Sequence, residues 1–260
     1  MIWNWLVRRA RSPRRIRWTP GLVARFWNGV AQTRLMEFGF SKQAARSLII
    51  AVDHLLPREG TVLDFGAGDG YLIQLLCERE VRVAGFEPSA NRRRVLHRRL
   101  DDCPGFLGVL DAKSPGSFDM VVMAEVIEHV LDEEIETVLG RIAKFARPGG
   151  ILVVTTPNNE DLELGMAYCP VSNTLFHRWQ HVRSFTRESL CALLEQYGFD
   201  EVVTHHVDFN DALYVPSDPL WGEGAARAEL PSFVQTMRLN LPTRMGSESN
   251  LLYIGRRRQG

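Results

Sequence analysis

Several features are absent from this 260-residue chain, and each absence excludes a class of protein. No apolar run approaches the roughly 18 residues that a membrane span needs. The apolar stretch at the N-terminus is too short for a signal peptide, and its charges follow rather than precede it. Lysine plus arginine and aspartate plus glutamate are both 31 in number, so the chain as a whole has no basic excess that would attract nucleic acid. We also find no internal repeat and no low-complexity segment.

Cysteine is scarce as well, and its spacing shows no paired pattern. We therefore expect four reduced thiols and a cytoplasmic protein. Hydrophobic residues make up 45% of the chain, enough for a substantial core. Strand-like and helix-like segments alternate, which indicates one α/β domain with a parallel sheet and some appendages. The four cysteines are Cys77, Cys103, Cys169 and Cys191.

The most informative segment is a short apolar run that leads directly into a glycine loop and then a helix. Residues 61–65 have the character of a buried strand, and apolar residues after the loop recur at helical spacing. Glycines let a ligand approach the backbone, and the helix N-terminus presents free N–H groups to it. The predicted ligand-binding residues here are Asp64, Gly66, Ala67, Gly68 and Gly70.

The spacing of the loop and its acidic residues indicate which ligand it binds. The glycines read G-x-G-x-G, one residue shorter than the G-x-G-x-x-G of dinucleotide-binding loops, which disfavours a nicotinamide dehydrogenase. Carboxylates at Asp64 and Asp69 would repel phosphates, but they suit a ligand that carries positive charge. S-adenosylmethionine is such a ligand, because its sulfonium and ammonium groups are cationic.

Further cofactor contacts are predicted after the following strands. A second strand-like run, residues 81–86, ends at Glu87, at the distance from the loop where an acidic side chain accepts hydrogen bonds from ribose hydroxyls. Asp111 follows a weak third strand and is placed to accept from the adenine amino group. The predicted cofactor contacts outside the loop are Glu87, Pro88, Asp111, Ala112, Ala124 and Glu125.

Four segments together resemble the class I S-adenosylmethionine-dependent methyltransferases. They read VLDFGAGDG, FEPSA, SFDMVVMAEVIEHV and RPGGILVVTTPN, and they stand in the order and spacing of that family's motifs. The resemblance runs from about residue 41 to residue 198, with a last strand near residues 251–254. It implies an α/β, Rossmann-like fold, with a seven-stranded and mostly parallel sheet, helices on both faces and an antiparallel last strand. It also implies a methyl-transferring enzyme.

A cluster of acidic and imidazole side chains is predicted after the strand at residues 118–123. Glu125, Glu128 and His129 have the spacing i, i+3 and i+4, so they share one face if the segment is helical. With His181 they would suit Mg²⁺, Mn²⁺ or Zn²⁺. Such an ion would lower the pKa of an acceptor hydroxyl. Without an ion, His129 or His181 is the candidate catalytic base.

The resemblance leaves the methyl acceptor open. E-x-x-E-H-V and H-x-x-x-F-T are similar to segments of the ubiquinone-pathway O-methyltransferases, so we expect a hydroxyl of a small-molecule or sugar-like acceptor. Small-RNA 3′-terminal ribose 2′-O-methyltransferases hold a metal with a comparable Glu, Glu, His, His set, but this chain has no basic stripe beyond its first twenty residues. A third alternative is a non-catalytic partner subunit that binds S-adenosylmethionine, which the intact loop and ribose acid disfavour.

The remaining segments divide the chain into five predicted parts. Residues 1–18 form a basic tail, which we interpret as solvated, although its charge and tryptophans would also suit an anionic membrane surface or RNA. Residues 19–56 form lid helices, and residues 57–207 form the cofactor-binding core. Residues 208–249 form an insertion that covers the site or makes a dimer contact, so we expect a monomer or a homodimer. Residues 250–260 form the last strand and a basic C-terminus. Candidate pocket walls in the lid are Phe26, Trp27, Phe38 and Phe40.

Overall fold

The computed structural model describes residues 12–111, 114–222 and 229–259. Its strands are β1 (Arg14–Arg15), β2 (Thr61–Phe65), β3 (Arg82–Phe86), β4 (Phe106–Leu110), β5 (Phe118–Ala124), β6 (Ala146–Pro157), β7 (Met166–Cys169), β8 (Thr174–His177), β9 (Phe199–Val207) and β10 (Asn250–Arg257). Its helices are α1 (Pro20–Val30), α2 (Phe40–Val52), α3 (Tyr71–Glu78), α4 (Ala90–Leu100), α5 (Ile135–Phe145), α6 (Arg187–Gln196), α7 (Asp211–Tyr214) and α8 (Ser232–Arg238).

Seven strands form one sheet in the order β4-β3-β2-β5-β6-β10-β9. β10 runs antiparallel to β6 and β9, whereas β4, β3, β2, β5 and β6 pair in parallel. Leu63 at the centre of β2 pairs with Ala84 on one side and Val121 on the other, and all three are buried. Strands buried on both faces need near-continuous apolar runs, which is what these segments have. The predicted fold is confirmed.

Apolar side chains pack on both faces of the sheet. On one face α2, α3 and α4 form a cluster with residues from α7 and α8, and on the other face α5 and α6 form a second cluster. Because parallel strands end at the same edge, the loops after β2, β3 and β5 meet at the carboxyl end of the sheet. This edge positions the candidate site.

Two helices begin at a threonine whose side chain caps the first turn. The Thr19 hydroxyl accepts a hydrogen bond from the Leu22 N–H at 3.3 Å, with Pro20 as the first residue of α1. Thr186 caps α6: its hydroxyl accepts from the Ser189 N–H at 3.3 Å, and its own N–H donates to the Ser189 hydroxyl at 3.0 Å. These local signals act as expected because each hydroxyl satisfies an N–H that has no partner inside the helix.

The segment after β5 differs from the predicted helical turn. Glu125 has a φ of +50°, and only Ile127–His129 form a single 3₁₀ turn before α5 begins at Ile135. A left-handed residue breaks the i, i+3, i+4 geometry, so the Glu125 side chain leaves the face that Glu128 and His129 occupy. The expectation that the three share one helical face is wrong.

Part of the predicted basic tail is paired with the rest of the fold. β1 runs parallel to β8, with Arg14 opposite Thr174, and β8 pairs with β7 as a hairpin. The Arg15 guanidinium also contacts the Glu163 carboxylate through two hydrogen bonds of 2.5 and 2.6 Å. Residues 1–11 of the predicted tail lie outside the described residues.

The expectation of four reduced cysteines is wrong for one pair. Cys77 at the end of α3 forms a disulfide with Cys103, which follows α4. The Cα atoms of the two residues are 6.5 Å apart. Their separation of 26 residues carries no recognisable pattern, and only the packing of α3 beside α4 brings them together. Cys169 and Cys191 are free. Among the described residues, no helix has the length and apolar character to cross a membrane.

Candidate active site

A cavity of about 760 Å³ opens at the carboxyl ends of β2, β3 and β5. Eight of the predicted cofactor contacts line it: Asp64, Gly66, Ala67, Gly68, Glu87, Pro88, Ala124 and Glu125. The structure therefore brings residues from three separate loops to one cavity.

Three predicted contacts are not found in the cavity lining. Gly70 caps α3 with a φ of +83°, and a Cβ there would lie 3.0 Å from the Leu100 side chain, so this glycine lets α3 start close to α4. Asp111 accepts a hydrogen bond from the Ser114 hydroxyl at 3.0 Å. Ala112 lies outside the described residues.

The first glycine of the loop folds the backbone against the next strand. Gly66 has a φ of +93°, and a Cβ at this position would lie 2.5 Å from a methyl carbon of Val126. The N–H groups of Gly66 and Ala67 both donate to the Phe86 carbonyl, at 2.8 and 3.0 Å. These bonds leave a concave backbone surface that a ligand can approach closely.

Glu87 connects the glycine loop to α4. One carboxylate oxygen accepts from the Gly68 N–H at 3.0 Å, and the other accepts from the Ser89 N–H at 2.8 Å. Burial raises the pKa of Glu87, and the Arg92 guanidinium 3.7 Å away acts against that rise. Each carboxylate oxygen has a further lone pair, so the group can also accept from a ribose hydroxyl.

The two acidic residues of the loop have different environments. Asp69 is paired with Lys42 at 3.3 Å and with Arg99 at 2.7 Å, so its charge is already balanced. Asp64 is buried at the end of β2, where burial and the Glu87 carboxylate raise its pKa to about 7. A cationic ligand would stabilise the ionised form of Asp64, so Asp64 is the carboxylate of the loop that fits such a ligand.

The same cavity contains a cluster of one carboxylate and two imidazoles. Glu128, His129 and His181 each present one potential ligand atom, and these atoms all lie within 4.8 Å of one another. One Glu128 oxygen accepts from the Thr156 hydroxyl at 3.1 Å. Its other oxygen is buried without a hydrogen-bond partner in the described structure, and so is Nδ1 of His129.

Burial controls the protonation of this cluster. It raises the pKa of Glu128 well above its ordinary value, with the Glu125 carboxylate adding to the rise. It also lowers the pKa of His129 to about 3, with His181 adding to the fall. A neutral imidazole next to a buried carboxyl oxygen that lacks a partner is an arrangement that a divalent cation would stabilise.

Glu125 does not belong to the cluster. Its carboxylate accepts from the Asn250 amide at 3.2 Å, and its N–H donates to the Thr155 hydroxyl at 3.1 Å. The left-handed backbone of Glu125 aims it toward β10, so Glu125 is not in the group whose potential ligand atoms lie within 4.8 Å of one another. Burial raises the pKa of Glu125 to about 7.

Two residues that support the site, Gln180 and Glu160, have no clear signal in the sequence. The Gln180 amide donates to the His129 carbonyl at 3.0 Å and accepts from the Trp27 indole at 2.9 Å. The Trp27 ring also meets the His129 ring edge to face, with centroids 4.9 Å apart. Glu160 bonds to His181, and its place just beyond the end of a parallel strand is the one signal that points to it.

Aromatic side chains form much of the remaining wall. Of the four predicted wall residues, Trp27, Phe38 and Phe40 line the cavity, together with Phe209. The fourth, Phe26, is outside the lining and packs against Trp27 at 5.3 Å between ring centroids. That the helices before β2 act as a lid stays a prediction.

Comparison with known proteins assigns the family. The methyltransferase domain family matches residues 40–205, which include the glycine loop, Glu87, the acidic and imidazole cluster, and every strand of the large sheet except β10 and the end of β9. The chain belongs to the class I S-adenosylmethionine-dependent methyltransferases. The predicted family is thus confirmed, and with it the enzyme class and the cofactor.

Curated relatives share the core of this methyltransferase. A probable S-adenosylmethionine-dependent methyltransferase from Mycolicibacterium smegmatis is 31% identical over 142 residues, 54% of this chain and 51% of that protein. A ubiquinone biosynthesis O-methyltransferase from Rhizobium rhizogenes is 32% identical over 130 residues, 47% of this chain and 51% of that protein. The chain thus spans about half the length of the curated relatives it matches.

A solved structure supports the fold independently of close sequence similarity. The chain is similar to the 1,6-didemethyltoxoflavin-N1-methyltransferase of Burkholderia thailandensis, which was solved with S-adenosylhomocysteine bound. The TM-score is 0.61 and the identity 16%, with 95% of this chain and 94% of that chain covered. At this identity the likeness shows the fold of the methyltransferase alone.

Proposed function

We propose that this methyltransferase methylates a hydroxyl group of a small-molecule or sugar-like acceptor, and that Glu128, His129 and His181 hold a divalent cation beside that hydroxyl. The observation that supports the proposal most strongly is the buried Glu128 oxygen without a hydrogen-bond partner among the described residues, next to two imidazoles in the cavity of the glycine loop. A buried polar atom without a partner costs about 1–3 kcal/mol, and a bound cation removes that cost.

The distances within the cluster favour a cation over a direct hydrogen bond. The Glu128 oxygen and Nε2 of His129 are 3.5 Å apart, whereas a hydrogen bond between such atoms is normally shorter than about 3.2 Å. One carboxylate and two imidazoles match the ligand preferences of Zn²⁺ and Mn²⁺. When bound, such an ion would lower the pKa of an acceptor hydroxyl.

The size and walls of the cavity support a small acceptor. At about 760 Å³ it lies within the roughly 300–1,000 Å³ of small-molecule sites, and it must hold both the cofactor and the acceptor. The names of two relatives, ubiquinone biosynthesis O-methyltransferase and trans-aconitate 2-methyltransferase, also refer to small molecules. The RNA alternative is less well supported, because Glu125 stands apart from the cluster that a Glu, Glu, His, His set would require.

In the proposed reaction, the acceptor oxygen attacks the methyl carbon while the bond from that carbon to the sulfonium sulfur breaks. The acceptor hydroxyl, whose pKa a bound divalent cation would lower, releases its proton to water, and the sulfur leaves with the bonding electrons as the thioether of S-adenosylhomocysteine. The chain contributes mainly by alignment, which alone can supply several orders of magnitude in rate. Gln180 and Trp27 hold His129 in place, and Thr156 orients Glu128.

The first test is calorimetric titration of chelator-treated protein with Mn²⁺ or Zn²⁺ and, separately, with S-adenosylmethionine. We expect Glu128→Gln to weaken metal binding by at least about tenfold, because it removes a charged ligand, while cofactor binding is unchanged. Glu133→Gln, at an exposed position nearby, is the matched control. Glu87→Gln should show the opposite pattern, with weaker cofactor binding and unchanged metal binding.

Activity is then measured with phenols, catechols and sugars as acceptors. We expect methyl transfer to be lost with a chelator and restored by the metal. If metal neither binds nor affects the rate, the cation is excluded and His181 becomes the candidate base. If only an RNA 3′ end is methylated, the small-acceptor proposal is wrong.

A further inference from the structure

We infer that Glu160 and His177 are positioning residues that hold the His181 imidazole in a single tautomer, with its Nε2 lone pair available to the cavity. The inference rests on the proposed function in one respect, since it takes Nε2 of His181 as the atom that serves the reaction. Neither positioning residue is singled out by the sequence, and neither lines the cavity.

The first step concerns His181 itself. Its Nδ1 lies 2.5 Å from a Glu160 oxygen. An ionised carboxylate only accepts hydrogen bonds, so the proton of this bond belongs to Nδ1. A neutral imidazole has one proton, and the lone pair must therefore be on Nε2. His181 lines the cavity, where that lone pair can bind a cation or accept a proton.

The second step concerns Glu160, whose two oxygens each face a ring nitrogen. One oxygen lies 2.5 Å from Nδ1 of His181, and the other lies 3.4 Å from Nε2 of His177. Two ring nitrogens that can donate, one beside each oxygen, fit an ionised carboxylate, which only accepts.

The third step fixes the tautomer of His177. Its Nδ1 accepts hydrogen bonds from the backbone N–H groups of His181, at 3.1 Å, and of Trp179, at 3.4 Å. The neutral ring must then have its proton on Nε2, which is buried without a hydrogen-bond partner among the described residues and lies 3.4 Å from the second Glu160 oxygen. The His177 and His181 rings stack at 4.5 Å between centroids. Glu160 therefore faces an N–H group of each ring.

This assignment argues against a second metal site. Glu160, His177 and His181 lie close enough to hold an ion. However, the Nδ1 lone pair of His177 is occupied by backbone N–H groups, and its Nε2 has the proton. An ion here would have to displace that proton and the one on Nδ1 of His181. Glu160 and His177 instead support His181, in the way that a carboxylate orients a metal-binding histidine.

The hairpin formed by β7 and β8 holds this arrangement in place. His177, the last residue of β8, is 3% exposed, and its ring occupies the space beside Gly165. A Cβ at Gly165 would lie 1.7 Å from Nε2 of His177, so only glycine admits the ring in this position. The Gly165 carbonyl also accepts from the Arg178 N–H at 2.9 Å.

The test is nuclear magnetic resonance of the full chain with ¹⁵N-labelled histidine, at a pH about two units above the ordinary histidine pKa of 6.5. Long-range ¹H–¹⁵N correlations identify the protonated nitrogen of each ring, and the signals are assigned with His177→Asn and His181→Asn. We expect Nδ1–H for His181 and Nε2–H for His177. In Glu160→Ala, His181 should become a mixture of tautomers, whereas Glu160→Gln, which keeps an acceptor oxygen, should restore part of the Nδ1–H form.

Metal affinity is the second measurement. Glu160→Gln should weaken Mn²⁺ or Zn²⁺ binding about 10- to 100-fold, the usual effect of losing such a support, with cofactor binding unchanged. Glu163→Gln is the control, because this exposed carboxylate pairs only with Arg15 among the described residues.

The inference is overturned if His181 in the unmodified protein has its proton on Nε2, or if Glu160→Ala leaves its tautomer unchanged. The position of the His181 proton is measured on the unmodified protein, so this outcome can be tested even if a variant fails to fold. If the tautomers are as expected but no metal binds, the cation of the proposed function fails while the inference stands.

Discussion

At the scale of the residue, burial determines what titratable side chains can do. His205 on β9 is fully buried, and neither ring nitrogen has a hydrogen-bond partner in the described part of the chain. Burial lowers its pKa from 6.5 to about 4, with the charges of His54 and His206 adding to the effect. Between these two pH values the unfolded chain binds a proton that the folded protein does not, so the folded state loses stability as the pH falls from 6.5 toward 4.

His205→Leu should remove this pH dependence. We expect the free energy of unfolding of the variant, relative to that of the unmodified protein, to be roughly 2 kcal/mol higher at pH 5 than at pH 7.5. Urea unfolding at the two pH values measures the difference, and other titrating groups cancel because both proteins contain them. His97→Leu, at an exposed position on α4, is the control. An equal difference at both pH values would show that His205 is not the group responsible.

At the scale of the element, two glycines with different surroundings should respond in opposite ways to the same substitution. Gly66 begins the cofactor loop with a φ of +93° and faces Val126, whereas Gly140 lies inside α5, and a Cβ added there would meet nothing within 4 Å. The loop needs the left-handed conformation that glycine allows, and the helix does not.

Gly66→Ala should lower the free energy of unfolding by roughly 1–3 kcal/mol, because of backbone strain and the contact with Val126. It should also weaken cofactor binding. Gly140→Ala should raise the free energy of unfolding by about 0.5–1 kcal/mol, the ordinary gain in a helix interior. Chemical denaturation and calorimetry with S-adenosylmethionine check both. A stabilising Gly66→Ala would contradict the loop geometry.

At the scale of the whole molecule, an arginine whose side chain is 12% exposed links three separate parts of the chain. Arg79 at the end of α3 pairs with Asp53 at 2.8 Å and also with Asp218, and it lies against the Trp221 ring at 4.3 Å. Asp218 is 1% exposed and accepts from the backbone N–H groups of Leu220 and Trp221, both at 3.0 Å. The start of the predicted insertion is therefore attached to the core.

Asp218→Ala should lower the free energy of unfolding by roughly 1.5–3 kcal/mol, because it removes a charge-assisted hydrogen bond, while Asp53 still pairs with the guanidinium. Asp200→Ala removes a partner of Arg258 in an exposed pair and should cost less than about 1 kcal/mol. Urea denaturation measures both changes. Equal losses would mean that the Arg79 pairs do not hold the insertion in place.

The sequence by itself determined the fold and the cofactor. Strand-like runs, the glycine loop and Glu87 are local patterns, and each acts through the backbone within a few residues of itself. Strands of this kind align in parallel and end at one edge, so the residues after them meet without further information. The same reasoning located the cavity, and the sequence also indicated Glu128, His129 and His181 as candidate metal-binding or catalytic residues.

Only the tertiary structure decided which of these side chains interact. The φ of Glu125 separates it from Glu128, the β7–β8 hairpin places His177 beside His181, and the segment just beyond β6 brings Glu160 to both rings. The pairing of Cys77 with Cys103 likewise depends on how two helices pack. Such contacts join residues far apart in the chain. Local propensity therefore does not encode them, and they depend on the shape and packing of the whole core.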